Sequence, residues 1–222
     1  MTTQIAAQDQ IIYPERDGQP MSDNTKQFRW IVTIQGGLDS LISGNPEVFV
    51  AGDLLWYPVE GDNKTRIAPD AMVVFGRPKG DRGSYLQWRE GNIPPQVVFE
   101  VLSPGNRFGE MLKKLKFYER YGVEEYYIYD PDKEDFSAWL RSGDELQEIE
   151  QLSGFVSPRL GIRFEPKPTG LEIYRPDGQK FATYVELDEQ RANAIALATQ
   201  QAQRADRLAA KLLELGIDLD TL

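Results

Sequence analysis

Residues 96–131 read QVVFEVLSPGNRFGEMLKKLKFYERYGVEEYYIYDP. Val97, Val98, Phe99, Val101 and Leu102 form a nearly continuous apolar run, so Gln96 to Leu102 is predicted to be a strand buried on both faces. From Arg107 to Tyr121 the pattern changes to helical spacing, with Phe108, Met111, Leu112, Leu115 and Tyr118 as the apolar stripe. Gly122 ends that helix as a C-cap. Glu125 to Asp130 is a second strand, closed by Pro131 and Asp132. Strand, helix and strand in this order predict a parallel crossover.

Working outward, Ala71, Met72, Val73, Val74 and Phe75 make Ala68 to Phe75 another strand of the doubly buried kind. Trp30, Ile31, Ile34, Leu38 and Leu41 predict an amphipathic helix over Phe28 to Leu41, despite Gly36 and Gly37. Shorter β-type runs cover Glu47 to Val50, Asp53 to Tyr57, Phe136 to Leu140, Leu146 to Ile149, Ile162 to Phe164 and Leu171 to Tyr174, separated by Gly and Pro turns. One parallel crossover among hairpin-connected strands implies a mixed α/β (α+β) architecture, a central mixed sheet flanked by helices. Residues 1–25 are polar and read as a flexible arm, 26–184 as the globular domain. Residues 185–222 read as a long Ala-rich helix. Its seam of Ile195, Ala198, Ala202, Ala205, Ala209 and Leu212 alternates by three and four, which suggests a coiled coil and a homodimer or higher homo-oligomer, or else docking on its own domain.

Composition narrows the chemistry. The 222 residues contain no Cys and no His, which removes disulfides, thiolate zinc sites, Ser-His triads and imidazole bases. Catalysis would use Asp, Glu, Lys, Tyr or an oxygen-ligated metal. No apolar run has the length of a membrane span and the first ten residues lack the pattern of a signal peptide, so a cytoplasmic, membrane-free protein is expected. The net charge of −10 argues against a general nucleic-acid coat. It is unevenly spread, however: residues 77–120 hold nine basic side chains against five acidic ones, and residues 124–150 hold ten acidic against two basic.

Two acids stand out because a carboxylate inside an apolar strand is costly unless it is paired or bound to a metal. Asp70 lies at the mouth of one core strand and Glu100 inside another, a combination that suggests oxygen ligands for Mg²⁺ or Mn²⁺. At about 100° per residue, Lys114 and Lys116 flank the apolar stripe of the following helix and Lys113 points away from it. Lys114 also stacks one turn from Tyr118.

The stretch APDAMVVFGRPKGDRGSYLQWREGNIPPQVVFEVLSP (68–104), followed by EMLKKLKFYERYGVEEYYIYDP (110–131), resembles the Uma-type restriction-endonuclease-like family of the PD-(D/E)XK nuclease superfamily. The resemblance extends over about 28–175. It implies a metal-dependent endonuclease hydrolysing phosphodiester bonds of DNA with Mg²⁺ or Mn²⁺. Asp70 matches the motif aspartate and Glu100 the acidic position, both as metal ligands, while the lysine place two residues on is Leu102. In the family that lysine has moved to the next helix, where Lys114 matches, assisting the attacking water. The superfamily's early helical acid has Glu47 and Asp39 as candidates, Asp53 is an additional ligand candidate, and Tyr118 packs close to the site. Arg77, Lys79, Arg82, Arg89, Lys113 and Lys116 are candidate phosphate contacts, with Tyr85 and Trp88 as stacking residues. The alternative is a non-catalytic nuclease-fold module that assembles through its C-terminal helix.

Overall fold

A computed structural model describes residues 11–16, 18, 22–106 and 108–215. The chain divides into two compact units, Met1–Phe181 and Ala182–Leu222. Helix α1 (Thr25–Leu41) starts earlier than its apolar stripe, because the Asn24 side chain caps it by accepting from the Lys26 and Gln27 N–H groups. The strands are β1 (Val48–Ala51), β2 (Trp56–Tyr57), β3 (Ala71–Phe75), β4 (Tyr85–Leu86), β5 (Val97–Val101), β6 (Glu125–Asp130), β7 (Asp135–Ser142), β8 (Glu145–Glu148), β9 (Phe155–Val156), β10 (Arg163–Lys167) and β11 (Gly170–Tyr174). Helix α2 (Phe108–Arg120) joins β5 to β6, and α3 (Tyr184–Glu214) forms the second unit.

Six strands form the central sheet in the order β1-β3-β5-β6-β7-β8. Only β5 and β6 pair in parallel; the other neighbours are antiparallel. The parallel pair is the crossover around α2, β6–β7 and β7–β8 are short hairpins, and β1–β3 and β3–β5 are antiparallel pairs joined by long connections that hold β2 and β4. Alternation along the strands sorts the core into two layers. Val97, Phe99 and Val101 face α1 (Ile31, Ile34, Leu38) and the small sheet β9–β11 (Phe164, Leu171, Ile173). Met72, Val74 and Val98 face Tyr118 of α2 together with Trp56 and Tyr85. Gly37 lets α1 come close to Phe181: a Cβ there would lie 2.3 Å from the Phe181 ring. Leu38 is fully buried, and its truncation to Ala is expected to cost about 2 to 5 kcal/mol.

Several sequence expectations are corrected. The run from Asp53 to Tyr57 is a strand only at Trp56–Tyr57, because Asp53 adopts φ 49°, a left-handed conformation that interrupts a strand. Phe108 and Leu112 do not belong to the buried stripe of α2: they are 84% and 41% exposed, and the inward face carries Lys114, Leu115 and Tyr118. Arg107 lies outside the described residues. Within the stretch read as an arm, residues 11–16 lie along the loop after β2. Tyr57 donates its hydroxyl to the Pro14 carbonyl at 2.6 Å, and the Gly61 N–H donates to the Tyr13 hydroxyl at 2.7 Å.

Helix α3 opens on a capping box between Thr183 and Glu186 and buries none of its side chains. Among the described residues its unit is a single helix, and Ile195, Leu197, Leu208 and Leu213 are exposed. Among the described residues no helix is long and apolar enough to cross a membrane.

Candidate active site

The register of β3 on β5 places the two acids. Ala71 pairs with Phe99 and Met72 with Val98, so one step further Asp70 lies opposite Glu100. Both have the parity of Met72 and Val98 and therefore look toward the α2 layer. Asp70 ends the loop from β2 and directly precedes β3, and the Asp53 N–H ties the segment after β1 to that loop end by donating to the Pro69 carbonyl at 3.0 Å. Glu100 is the last but one residue of β5 and is 2% exposed.

Helix α2 brings two groups to Glu100 from one face. Lys114 and Tyr118 are four residues apart and so project together. Lys114 Nζ donates to Glu100 Oε2 at 2.6 Å, and the Tyr118 hydroxyl donates to Oε1. Asp70 is held by the backbone, its Oδ2 accepting the Val101 N–H at 2.6 Å. Asp70, Glu100, Lys114 and Tyr118 thus meet at the C-terminal end of β5, with Asp53 close enough to add its charge to the field at Asp70.

The electrostatics follow from this crowding. Burial, and then the facing charge of Glu100, holds the Asp70 carboxyl well above the usual carboxylate range, against the Val101 N–H and Lys114. Burial pulls the Lys114 ammonium down, but Glu100, Asp70 and Glu110 outweigh it and its pKa is raised. Burial and the Glu100 charge push the Tyr118 hydroxyl far up. Tyr126, packed at 4.8 Å from the Tyr118 ring, is raised by burial, Glu100 and Asp70, and its buried hydroxyl has no hydrogen-bond partner among the described residues.

Other sequence candidates lie elsewhere. Arg77 and Arg82 share Glu90 at 3.0 and 2.7 Å, and Arg82 also covers the Phe49 ring. Lys79 pairs with Asp39 at 3.4 Å, and Glu47 is exposed just before β1. All of these belong to the end of the sheet where β3 finishes, one strand length from Asp70, or about 17 Å at ~3.3 Å per residue. The structure therefore does not bring the two proposed early acids, Glu47 and Asp39, to the Asp70–Glu100 pair. Tyr85 is fully buried and donates to the Ile93 carbonyl, so it is not a stacking surface, and Trp88 packs on Tyr13. Lys113 and Lys116 are exposed on α2, so Lys116 does not flank the inward face; Arg89 is exposed near Glu90.

The apolar stripe of α1 leaves out Gln27. It is buried on α1 and donates to the Val101 carbonyl at 2.8 Å, on the strand that carries Glu100. Its signal was available: Gln27, Ile31, Ile34 and Leu38 are spaced four, three and four apart, so a polar residue occupies a core position of the helix.

Two facing carboxylates offer the hard oxygen donors that Mg²⁺ or Mn²⁺ takes, and such ions commonly use one or two carboxylates with solvent and substrate completing the shell. Among the described residues no third Asp, Glu, His or Cys completes a set. Asp70 and Glu100 fit a divalent ion on these terms, with Glu100 released in part from Lys114.

No curated protein matches the chain. Among solved structures it is similar to "a putative nuclease belonging to DUF820" from Anabaena variabilis ATCC 29413, at 16% identity and a TM-score of 0.46, with 65% of this chain and 79% of that one covered. Residues 20–165 match the model of the Uma2 family, described as "Putative restriction endonuclease". That match spans more than half of the sequence and takes in all of the Asp70–Glu100–Lys114–Tyr118 cluster, and the chain belongs to the Uma2 family.

Proposed function

We propose that the protein is an endonuclease that hydrolyses phosphodiester bonds of DNA, with Asp70 and Glu100 holding Mg²⁺ or Mn²⁺ and Lys114 acting on the attacking water. The observation that carries this reading is Lys114 reaching Glu100 at 2.6 Å while Asp70 lies opposite Glu100 across β3 and β5. A divalent ion bound by the two carboxylates would supply Lewis acidity at the scissile phosphate. Lys114, with its raised pKa, stays protonated near neutral pH. It therefore acts as a donor that orients water and stabilises developing negative charge, and not as a base. Tyr118 fixes one oxygen of Glu100, leaving the other to face Lys114 and the reaction space. The Val101 N–H fixes Asp70 in the same way. Water adds to phosphorus, one P–O bond breaks, and the leaving oxygen takes a proton; no His is required.

The test is incubation of plasmid and single-stranded DNA with Mg²⁺ or Mn²⁺, comparing the wild type with an Asp70→Asn, Glu100→Gln double variant. Cleavage that needs the metal and disappears in the double variant is the expected result. Equal cleavage by both proteins would defeat the assignment. The non-catalytic module has one observation in its favour: Glu100 already has a partner on each oxygen. Metal-dependent cleavage would eliminate that reading.

The same proposal includes self-association through α3, whose Ala-rich seam has no cover among the described residues of its unit. Sedimentation of a chain ending near Tyr184 should show a smaller particle than the full chain, beyond the mass removed. Unchanged stoichiometry would refute it.

A further inference from the structure

The outward face of α2 bears an exposed apolar residue at its N-terminal end. Phe108, the first residue of the helix, is 84% exposed, and Leu112 one turn later is 41% exposed. Lys116 and Arg120 continue the same four-residue row and Lys113 lies beside it, all three exposed. Of the two acids on α2, Glu119 is turned aside, accepting the Leu146 N–H at 2.9 Å, and Glu110 lies in the first turn, so cations outnumber acids along the rest of the face. The face is thus an aromatic residue and a leucine followed by exposed cations.

Its position relative to the acids is fixed by the crossover. Because α2 returns antiparallel to β5, its N-terminal end extends past the end of the strand where Asp70 and Glu100 lie. The Lys114 side chain reaches Glu100, and Phe108 is six residues earlier, about 9 Å further along the axis at ~1.5 Å per residue. A turn closed by the Asn106 N–H donating to the Ser103 carbonyl at 3.0 Å carries the chain from the Glu100 strand toward Phe108. Phe108 therefore lies past the level of Lys114, at the end of α2 nearest the turn that leaves the Glu100 strand.

We infer that this face docks the nucleic-acid strand flanking the scissile phosphate, with Phe108 stacking on an unpaired base and Lys113 and Lys116 contacting the neighbouring phosphates. The inference rests on the nuclease reading for what happens at the acids, and adds the substrate class: DNA with an accessible base, meaning single-stranded, gapped or locally melted, in preference to continuous duplex. The occupant is chosen by chemistry. Exposed cations beside a bare aromatic ring match a polyanion whose bases have free π faces, and duplex DNA hides those faces in its stack.

The experiment measures binding, so that it does not depend on cleavage. The full-length Asp70→Asn, Glu100→Gln protein is titrated with a single-stranded oligonucleotide carrying a fluorescent adenine analogue, and with the matching duplex. Stacking should quench the analogue. Phe108→Ala should abolish the quench and weaken single-strand binding by about tenfold, while duplex binding changes by less than about twofold. Phe108→Trp should restore both signals. Lys116→Gln should weaken both DNAs and flatten the salt dependence. Because Phe108 is exposed, thermal unfolding of the variants should match that of the parent protein. Equal effects of Phe108→Ala on single strand and duplex, or none on either, would overturn the inference. So would a change in sedimentation with no change in DNA binding, which would identify the face as a protein contact. If wild-type protein binds through Phe108 but cleaves nothing, the nuclease reading fails and this inference stands; cleavage indifferent to Phe108 gives the reverse.

Discussion

The two ends of the central sheet treat charge in opposite ways. Where β3 finishes, Glu90 accepts from Arg77 and Arg82, and the hydrogen bond from Arg82 takes its carboxyl below the usual range. Where β3 begins, Asp70 faces Glu100 with one lysine between two acids, and burial with Glu100 lifts the Asp70 carboxyl well above that range. At one end Glu90 has two cations and is electrostatically settled. The other keeps an excess of carboxylate inside a low-dielectric layer, a charge arrangement that a divalent cation would relieve. The difference separates ion pairs that hold the fold from a cluster suited to chemistry.

The largest effect should come from Lys114, the cation that reaches Glu100. Lys114→Ala is expected to lower turnover at saturating DNA by about 10² or more, the scale for removing one preorganised charge. Arg82→Ala, at the other end, should leave turnover within about twofold once stability is corrected for. Equal losses in the two variants would mean that the ends do not differ in function. Lys113→Ala is the intermediate case. As an exposed phosphate contact it should weaken DNA binding and reduce the salt slope by about one unit, leaving turnover at saturation unchanged.

The part of this contrast that was legible in the sequence was local. Asp70 and Glu100 were readable because each interrupts an apolar strand, and Lys114 with Tyr118 because a four-residue spacing puts them on one helical face. The crossover itself was visible as a change of period between Gln96 and Asp130. The placement of Arg77, Lys79 and Arg82 was not, because they follow Asp70 closely in sequence while β3 carries them a strand length away. Glu47 is misleading for the same reason, since antiparallel pairing of β1 with β3 sends the start of β1 to the end of β3, and Asp39, in the last turn of α1, meets Lys79 at that same end. Phe108 and Leu112 were assigned to the buried stripe because period alone does not tell which flank of a stripe meets the sheet. That depends on the Lys114–Glu100 and Tyr118–Glu100 contacts, which come from chain-distant residues.

Stability should distinguish the ends with opposite signs. Glu90→Ala strips two arginines of their shared carboxylate, and is expected to destabilise by about 1 to 3 kcal/mol in a denaturant titration at neutral pH. Asp70→Asn removes a charge that the fold holds at a cost, and its amide oxygen still accepts the Val101 N–H. It should stabilise, with a midpoint of thermal unfolding a few degrees higher. A lower midpoint for Asp70→Asn would show that the carboxylate contributes more through its contacts than it loses by confinement.

The smallest effect, and the one with the least room for a trivial explanation, is the pH dependence of that last difference. Asp70 has a pKa above its ordinary value of 3.8 in the folded chain, so between the unfolded and folded values the native state binds more protons than the unfolded state. Stability from this group therefore falls as pH rises through that window, and the full cost is present above the folded pKa. The stabilisation by Asp70→Asn should then be greatest at neutral pH and shrink on acidification, approaching zero as pH falls to the unfolded value. Glu90 has the opposite sign: its lowered pKa makes its contribution complete above the ordinary glutamate value of 4.5 and lost as pH drops through the folded value. Acidification should thus narrow the gap between wild type and each variant from opposite sides, Asp70→Asn from above and Glu90→Ala from below. Thermal unfolding of the three proteins across the acid range reads both trends at once. A gap between wild type and Asp70→Asn that stays constant with pH would mean that Asp70 titrates as an ordinary carboxylate, and the charge conflict at the acid end would not exist.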